Sequence, residues 1–387
     1  MTTTNWFGKT TRIGEYVDLE CGDYISQVTL HQKERSGNNK YLAPGFVDLQ
    51  VNGFAGVDYN SGLTPLSEIA RSIQVLFTCG VSRFYPTVIT GGRDEMVAAL
   101  RNLASAKQKL PEGIAIEGFH VEGPHISAED GPRGAHPIQC VRKPDIDEYK
   151  RWQEATGGLV KLVTLAPEWP EAPSYIETLV KDGVVIAIGH TGANRQQIQD
   201  AVSAGATLST HLGNGAHAIL PRHPNYIWEQ LAEDRLAADF IVDGIHLPDS
   251  FLKVALRAKG LERSLLVTDA SSPAGAAPGR YKLGEQEVDL TEDNRVVLAG
   301  QTRLAGSALR MDTGVSNLMR IGGLTLSQAI TMATTNPAKV GKVKDRENGL
   351  AQGDRADIIE FDFDEDTKKI KILKNYISGK LVYQSHS

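Results

Sequence analysis

Long apolar runs are missing from this chain. No stretch approaches the ~20 residues that a membrane-spanning helix needs, so a membrane partner is not expected. Cysteine is scarce: Cys21, Cys79 and Cys140 show no paired spacing, which speaks against a disulfide framework. Cys79 sits in the apolar run from Val75 to Val81 and reads as a small core thiol. A basic excess is also absent. The formal net charge is −6, without a long basic run, so no nucleic-acid partner is expected. A local pocket can still be positive enough for a phosphorylated small molecule. Met1 to Trp6 lacks the basic start and apolar core of a signal peptide. Together these absences predict a reduced, cytoplasmic protein. There is no Gly-rich phosphate loop of the P-loop or dinucleotide type, which counts against a doubly wound nucleotide-binding sheet.

What is present is an ordinary soluble-enzyme composition, 41% hydrophobic and 23% charged, over 387 residues. That length suffices for one large barrel and a smaller domain. Residues 44–344 alternate short apolar strands with helical stretches. Phe46 to Gln50, Ser82 to Pro86, Ile114 to Gly118, Leu159 to Leu165, Val184 to Gly189, Ala206 to Thr210, Ala237 to Val242 and Ser264 to Thr268 read as eight strands. Leu66–Thr78, Asp94–Lys109, Ser174–Asp182 and Arg195–Ala204 read as helices between them. Eight such units predict a (β/α)8 barrel of the TIM type. Residues 1–43 and 345–387 alternate apolar and polar positions, with a turn expected over 33–40. They predict one small β-sandwich domain built from both termini.

The segment from Phe119 to His125 carries the most chemistry. Gly123 and Pro124 stop a strand at once, so Glu122 stands at its C-terminal tip, where barrels build their sites. Two later strands run into His190 and His211 in the same way, and another into Asp269. One Glu and two His at successive strand ends make a three-ligand site with room for water. That is the pattern of a catalytic divalent metal. Lys161 lies early in its strand, at the wrong end to serve as a carbamylated bridging ligand.

These motifs resemble those of the N-acetylglucosamine-6-phosphate deacetylases of the amidohydrolase superfamily. The matching segments are Pro44 to Asp48, His120 to Pro124, Gly189 to Thr191, Thr210 to Asn214, Val242 to His246, Val267 to Ala270, Leu304 to Ser307 and Thr335 to Ala338. The resemblance implies that Glu122, His190 and His211 hold one divalent metal per chain. Zinc is expected first, with iron, cobalt or manganese as alternatives. It implies that Asp269 is the general base and acid, and that His136 contacts the acetyl carbonyl or the sugar beside Ala135. His246 would line the sugar site. Asn214 and Gly215 would offer backbone groups to the phosphate, and Leu304, Ala305 and Gly306 would close over the acetyl side. Arg222 would bind phosphate across a homodimer, reaching in from the neighbouring subunit.

The implied reaction converts N-acetyl-D-glucosamine 6-phosphate and water to D-glucosamine 6-phosphate and acetate, in amino-sugar catabolism. The alternatives are another N-acetyl amino-sugar phosphate, such as the galactosamine isomer, and a non-catalytic sugar-phosphate-binding regulator. Two features depart from common patterns. Gln50 and Asn52 stand where many amidohydrolases place two histidines for a second metal, and neutral amides are weak ligands. Gly215 stands where alanine is familiar. Plainer readings remain at this point: Asp269 as a helix cap, Arg222 as a solvated loop charge, and His136 and His246 as structural histidines.

Overall fold

The computed structural model describes residues 4–11, 15–32, 40–346 and 349–385. Eight parallel strands form one sheet: Phe46–Val51, Val81–Ile89, Phe119–Glu122, Val160–Leu165, Val185–Ile188, Leu208–Ser209, Ala237–Ile241 and Ser264–Val267. They neighbour one another in chain order. Val51 bridges Ala270 in parallel, and Asn52 N–H donates to the Ala270 carbonyl at 2.7 Å, which joins the first strand to the end of the eighth. The strands are apolar almost throughout because both faces are covered, one by helices and one by the barrel interior. Inside, Tyr85, Leu162, Val185, Leu208 and Leu265 pack into an apolar plug. Above it lies a polar layer: His120 bridges Thr87 (3.3 Å) and Thr164 (2.8 Å), and Thr164 reaches Thr210 (2.8 Å). The barrel is therefore filled, and its chemistry is confined to one end.

The strand expected at Ile114 to Gly118 is displaced. Pro111–Ala115 forms a 3-10 turn and the strand begins at Phe119. Proline starts the turn, and Gly113 packs so tightly that an added Cβ would lie 2.3 Å from the Lys107 carbonyl. Ile116 keeps only an isolated bridge to Phe84. Glu122 still ends its strand.

Both termini build a seven-stranded sheet, in which Tyr41–Pro44 pairs antiparallel with Ile358–Asp364. The turn expected over 33–40 falls almost wholly outside the described residues. A buried charge cluster ties the second barrel strand to this sheet. Arg83 meets Asp357 at 2.7 Å, with Arg346 at 3.3 Å and Arg355 at 2.8 Å from the same carboxylate. Burial alone would raise Asp357, yet the three guanidinium groups hold it below the usual carboxylate range.

One element was not anticipated. Gly279–Leu283, Gln286–Leu290 and Val296–Leu298 form a three-stranded antiparallel sheet, inserted after the eighth barrel strand.

Candidate functional site

The C-terminal ends of the barrel strands open onto a cavity of about 140 Å³. Glu122 stands at its floor. Its Oε1 lies 2.9 Å from His211 Nε2 and 3.1 Å from His190 Nε2. His136 Nε2 approaches His190 Nε2 at 3.3 Å, and one donor atom from each of Glu122, His136 and His190 lies within 4.8 Å of the others, close enough for a metal ion to be held there. All four side chains are buried. One carboxylate and a group of imidazoles suit a borderline divalent ion such as zinc. His190 is already oriented for that task. Its Nδ1 donates to the Pro132 carbonyl at 2.9 Å, which turns Nε2 towards Glu122 as the atom free to bind a metal.

The electrostatics follow from packing these groups together. Burial would raise Glu122, but hydrogen bonds from His190 and His211 outweigh it and hold the carboxyl well below its usual range. Burial would lower His211, yet Glu122 pushes it up to about 9. His136 is pushed down to about 3 by burial and by His190, so its ring is neutral.

The backbone is unusual at the same places. His190 has φ 50°, His211 φ 30° and Asp269 φ 49°. The left-handed region costs a non-glycine residue ~1–3 kcal/mol. It recurs at three strand ends that share one cavity. His190 is further confined by two glycines. A Cβ on Gly215, itself at φ 55°, would lie 2.7 Å from His190 Nδ1, and one on Gly134 would lie 3.3 Å from the ring. A side chain at 215 would therefore force the ring or the loop to shift.

Asp269 lines the same cavity. Its Oδ1 accepts from Asn52 Nδ2 at 2.7 Å and from Gln50 Nε2 at 2.9 Å. The two amides are therefore donors to the aspartate. Burial and the Glu122 charge push Asp269 up to about 6.

Ala135, Asn214, Gly215, His246, Leu304, Ala305 and Gly306 all line the same cavity. His246 is oriented by Asp243, with Nδ1 2.6 Å from Oδ2. Arg222 does not join them. It is exposed, outside the lining of its own chain's cavity. Ile89, Leu283 and Gln286, which stand in none of the motifs, also line it. Gln286 donates to the Ala135 carbonyl and so fastens the insert to the loop carrying His136. A signal was available: two alternating runs flank Gly284-Glu285, as in a hairpin. Asp239 was also missed; its carboxylate accepts the His211 N–H, and burial pushes it up to about 7.

Residues 41–382 match the model of the amidohydrolase family. The N-acetylglucosamine-6-phosphate deacetylase of Bos taurus is 34% identical over 372 residues, covering 93% of this chain and 88% of the relative. The N-acetylgalactosamine-6-phosphate deacetylase of Shewanella sp. is 34% identical over 361 residues, covering 92% and 86%. A solved structure of a mutant N-acetyl-D-glucosamine-6-phosphate deacetylase from Mycobacterium smegmatis, in complex with N-acetyl-D-glucosamine-6-phosphate, has a TM-score of 0.87. It is 28% identical and covers 98% of this chain and 99% of that one. With the family match running through the barrel and the C-terminal strands of the terminal sheet, this chain belongs to the amidohydrolase family.

Proposed function

We propose that the chain hydrolyses N-acetyl-D-glucosamine 6-phosphate to D-glucosamine 6-phosphate and acetate, in amino-sugar catabolism. The observation that carries this reading is the Glu122, His190 and His211 cluster facing Asp269 in one cavity. Glu122, His190 and His211 would hold one divalent ion per chain, with zinc the first choice for this donor set. Such an ion supplies Lewis acidity and makes water at the site more acidic.

The remaining chemistry belongs to side chains of this chain. Asp269 Oδ1 is occupied by two amide donors, so Oδ2 takes the proton of the attacking water. The water oxygen bonds to the acetyl carbon. Asp269 then gives the proton to the amine nitrogen as the C–N bond breaks, and acetate and the free amine result. His136 is neutral, with Nδ1 2.8 Å from the Thr90 hydroxyl. When that hydroxyl donates to Nδ1, Nε2 carries the hydrogen and can stabilise the developing oxyanion.

Asn214, Gly215 and His246 would hold the sugar phosphate, and Leu304, Ala305 and Gly306 the acetyl side. The exposure of Arg222 supports its use by a neighbouring copy in a homodimer. Residues 44–344 would form the catalytic barrel, with 1–43 and 345–387 as the small β domain. No helix among the described residues is long and apolar enough to cross a membrane; a cytoplasmic location is proposed.

The Shewanella relative, as similar as the bovine one, favours a second reading in which the galactosamine isomer is the substrate. Acetate release from both epimers, with and without the 6-phosphate and with and without added metal, decides between them. Binding of the sugar phosphate without turnover in metal-loaded protein would leave a non-catalytic regulator instead.

A further inference from the structure

The cavity has one apolar side. Ile89, Ala135, Leu283 and Ala305 line it and pack into a single apolar cluster, with Val288 and Val296 behind them. Ile89 pairs in register with Glu122 on the neighbouring parallel strand. Paired residues on adjacent strands lie ~4.8 Å apart and project to the same face. The Ile89 side chain therefore stands beside the Glu122 carboxylate. Leu283 comes from the insert and is 6% exposed. Its position is fastened on both sides: Gly284 N–H donates to Asp58 Oδ2 at 2.7 Å, and Gln286 donates to the Ala135 carbonyl. Ile89 N–H is likewise held by Asn60 Oδ1 at 2.7 Å.

In the proposed reaction the acyl carbon sits at the Glu122 end of the cavity. The acyl methyl is one bond, ~1.5 Å, from that carbon, so it must meet whatever lies beside Glu122. Polar groups cannot serve there without losing hydrogen bonds, whereas Ile89 and Leu283 can. We propose that Ile89 and Leu283 form the wall of an acyl subsite and restrict the hydrolysed acyl group to acetyl. This rests on the deacetylase reading above.

The test measures kcat/KM for N-formyl, N-acetyl, N-propionyl and N-butyryl glucosamine 6-phosphate with metal-reconstituted protein. A pocket wall discriminates about 10–200-fold per methylene. Leu283→Ala and Ile89→Ala should each raise the propionyl-to-acetyl ratio by about 10-fold or more. Leu283→Val and Ile89→Val, which trim less, should shift it in the same direction and serve where an alanine variant does not fold. Ile89→Phe should move preference the other way, towards the N-formyl substrate. Unchanged acyl ranking in the trimmed variants, or an equal loss for every acyl length, would overturn the proposal. Wild-type protein that releases no acetate would instead overturn the deacetylase reading itself.

Discussion

Asn52 Nδ2 donates to Asp269 Oδ1 across 2.7 Å, at the seam where the first and eighth barrel strands meet. Gln50 Nε2 adds a second bond to the same oxygen at 2.9 Å. Two neutral donors fix which carboxylate oxygen is free, without adding charge. A hydrogen bond to a charged group is worth ~1.5–3 kcal/mol. Asn52→Leu and Gln50→Leu should each lower kcat by about one to two decades, with KM and metal content nearly unchanged. Asn52→Asp should be worse than Asn52→Leu, because it sets a second carboxylate against Asp269. Steady-state kinetics beside elemental analysis checks this; a loss confined to KM would remove the positioning role.

Asp269→Asn keeps shape but cannot take a proton. Asparagine also tolerates the left-handed backbone, which at this position has φ 49°. Folding should therefore survive, while kcat falls by about 10²–10⁴-fold and metal content stays near one per chain. Near-normal kcat in this variant would assign the proton transfer to another group.

Much of this arrangement is legible in the sequence because its causes are local. Buried parallel strands read as short apolar runs, and Gly123-Pro124 marks the strand end that presents Glu122. The pairing of Gln50 and Asn52 with Asp269 is not legible. It joins residues 219 and 217 positions apart and exists only once the barrel closes. Pro111–Ala115 misleads for another reason. An apolar stretch of that length fits either a strand or a packed turn, and only tertiary contact decides. The insert's alternation is plain, but strand–helix counting leaves no place for a hairpin after the eighth strand.

Metal binding should release protons. In the metal-free protein His211 sits at about 9, above its ordinary 6.5, because of Glu122. At pH 7 it is protonated and must lose that proton to ligate. Calorimetry in two buffers of different ionisation enthalpy should find close to one proton released per chain at pH 7, falling towards zero above pH 9. The sign for stability is fixed by the same groups. The raised His211 contributes stability to the metal-free fold below pH 6.5, and that contribution is lost as pH rises through about 9. The depressed Glu122 contributes above 4.5, and that part is lost as pH falls. Glu122→Gln should abolish both the proton release and tight metal binding. Metal uptake at pH 7 without proton release would show that the His211–Glu122 pair does not titrate this way.

Gly215→Ala tests how the histidine is held. The added Cβ would fall 2.7 Å from His190 Nδ1, the atom that donates to Pro132, on a backbone at φ 55°. Either the ring turns or the loop moves, and both disturb the ligand's orientation. Loss of such orienting contacts typically weakens metal affinity by about 10–100-fold. Competition with a chromophoric chelator measures it. Unchanged affinity would mean that the loop adapts to the added Cβ without turning the ring.

Arg222 offers the sharpest test of assembly. It is exposed and outside the cavity that the other substrate-binding candidates line. In the proposed reading it reads phosphate for a neighbouring copy. A planar guanidinium makes two hydrogen bonds to phosphate at once, and a charge-assisted contact is worth ~1.5–3 kcal/mol. Arg222→Ala should therefore lower kcat/KM for the phosphorylated sugar by about one to two decades, and barely affect the unphosphorylated one. Arg222→Lys should recover only part of the loss, because an ammonium lacks the fork. Mixing Arg222→Ala chains with Asp269→Asn chains should restore activity, since one site of a mixed dimer then holds both intact residues. No recovery in demonstrably mixed dimers would place the arginine's action within its own chain, through a loop movement. Equal losses for both sugars would mean that Arg222 does not read phosphate at all.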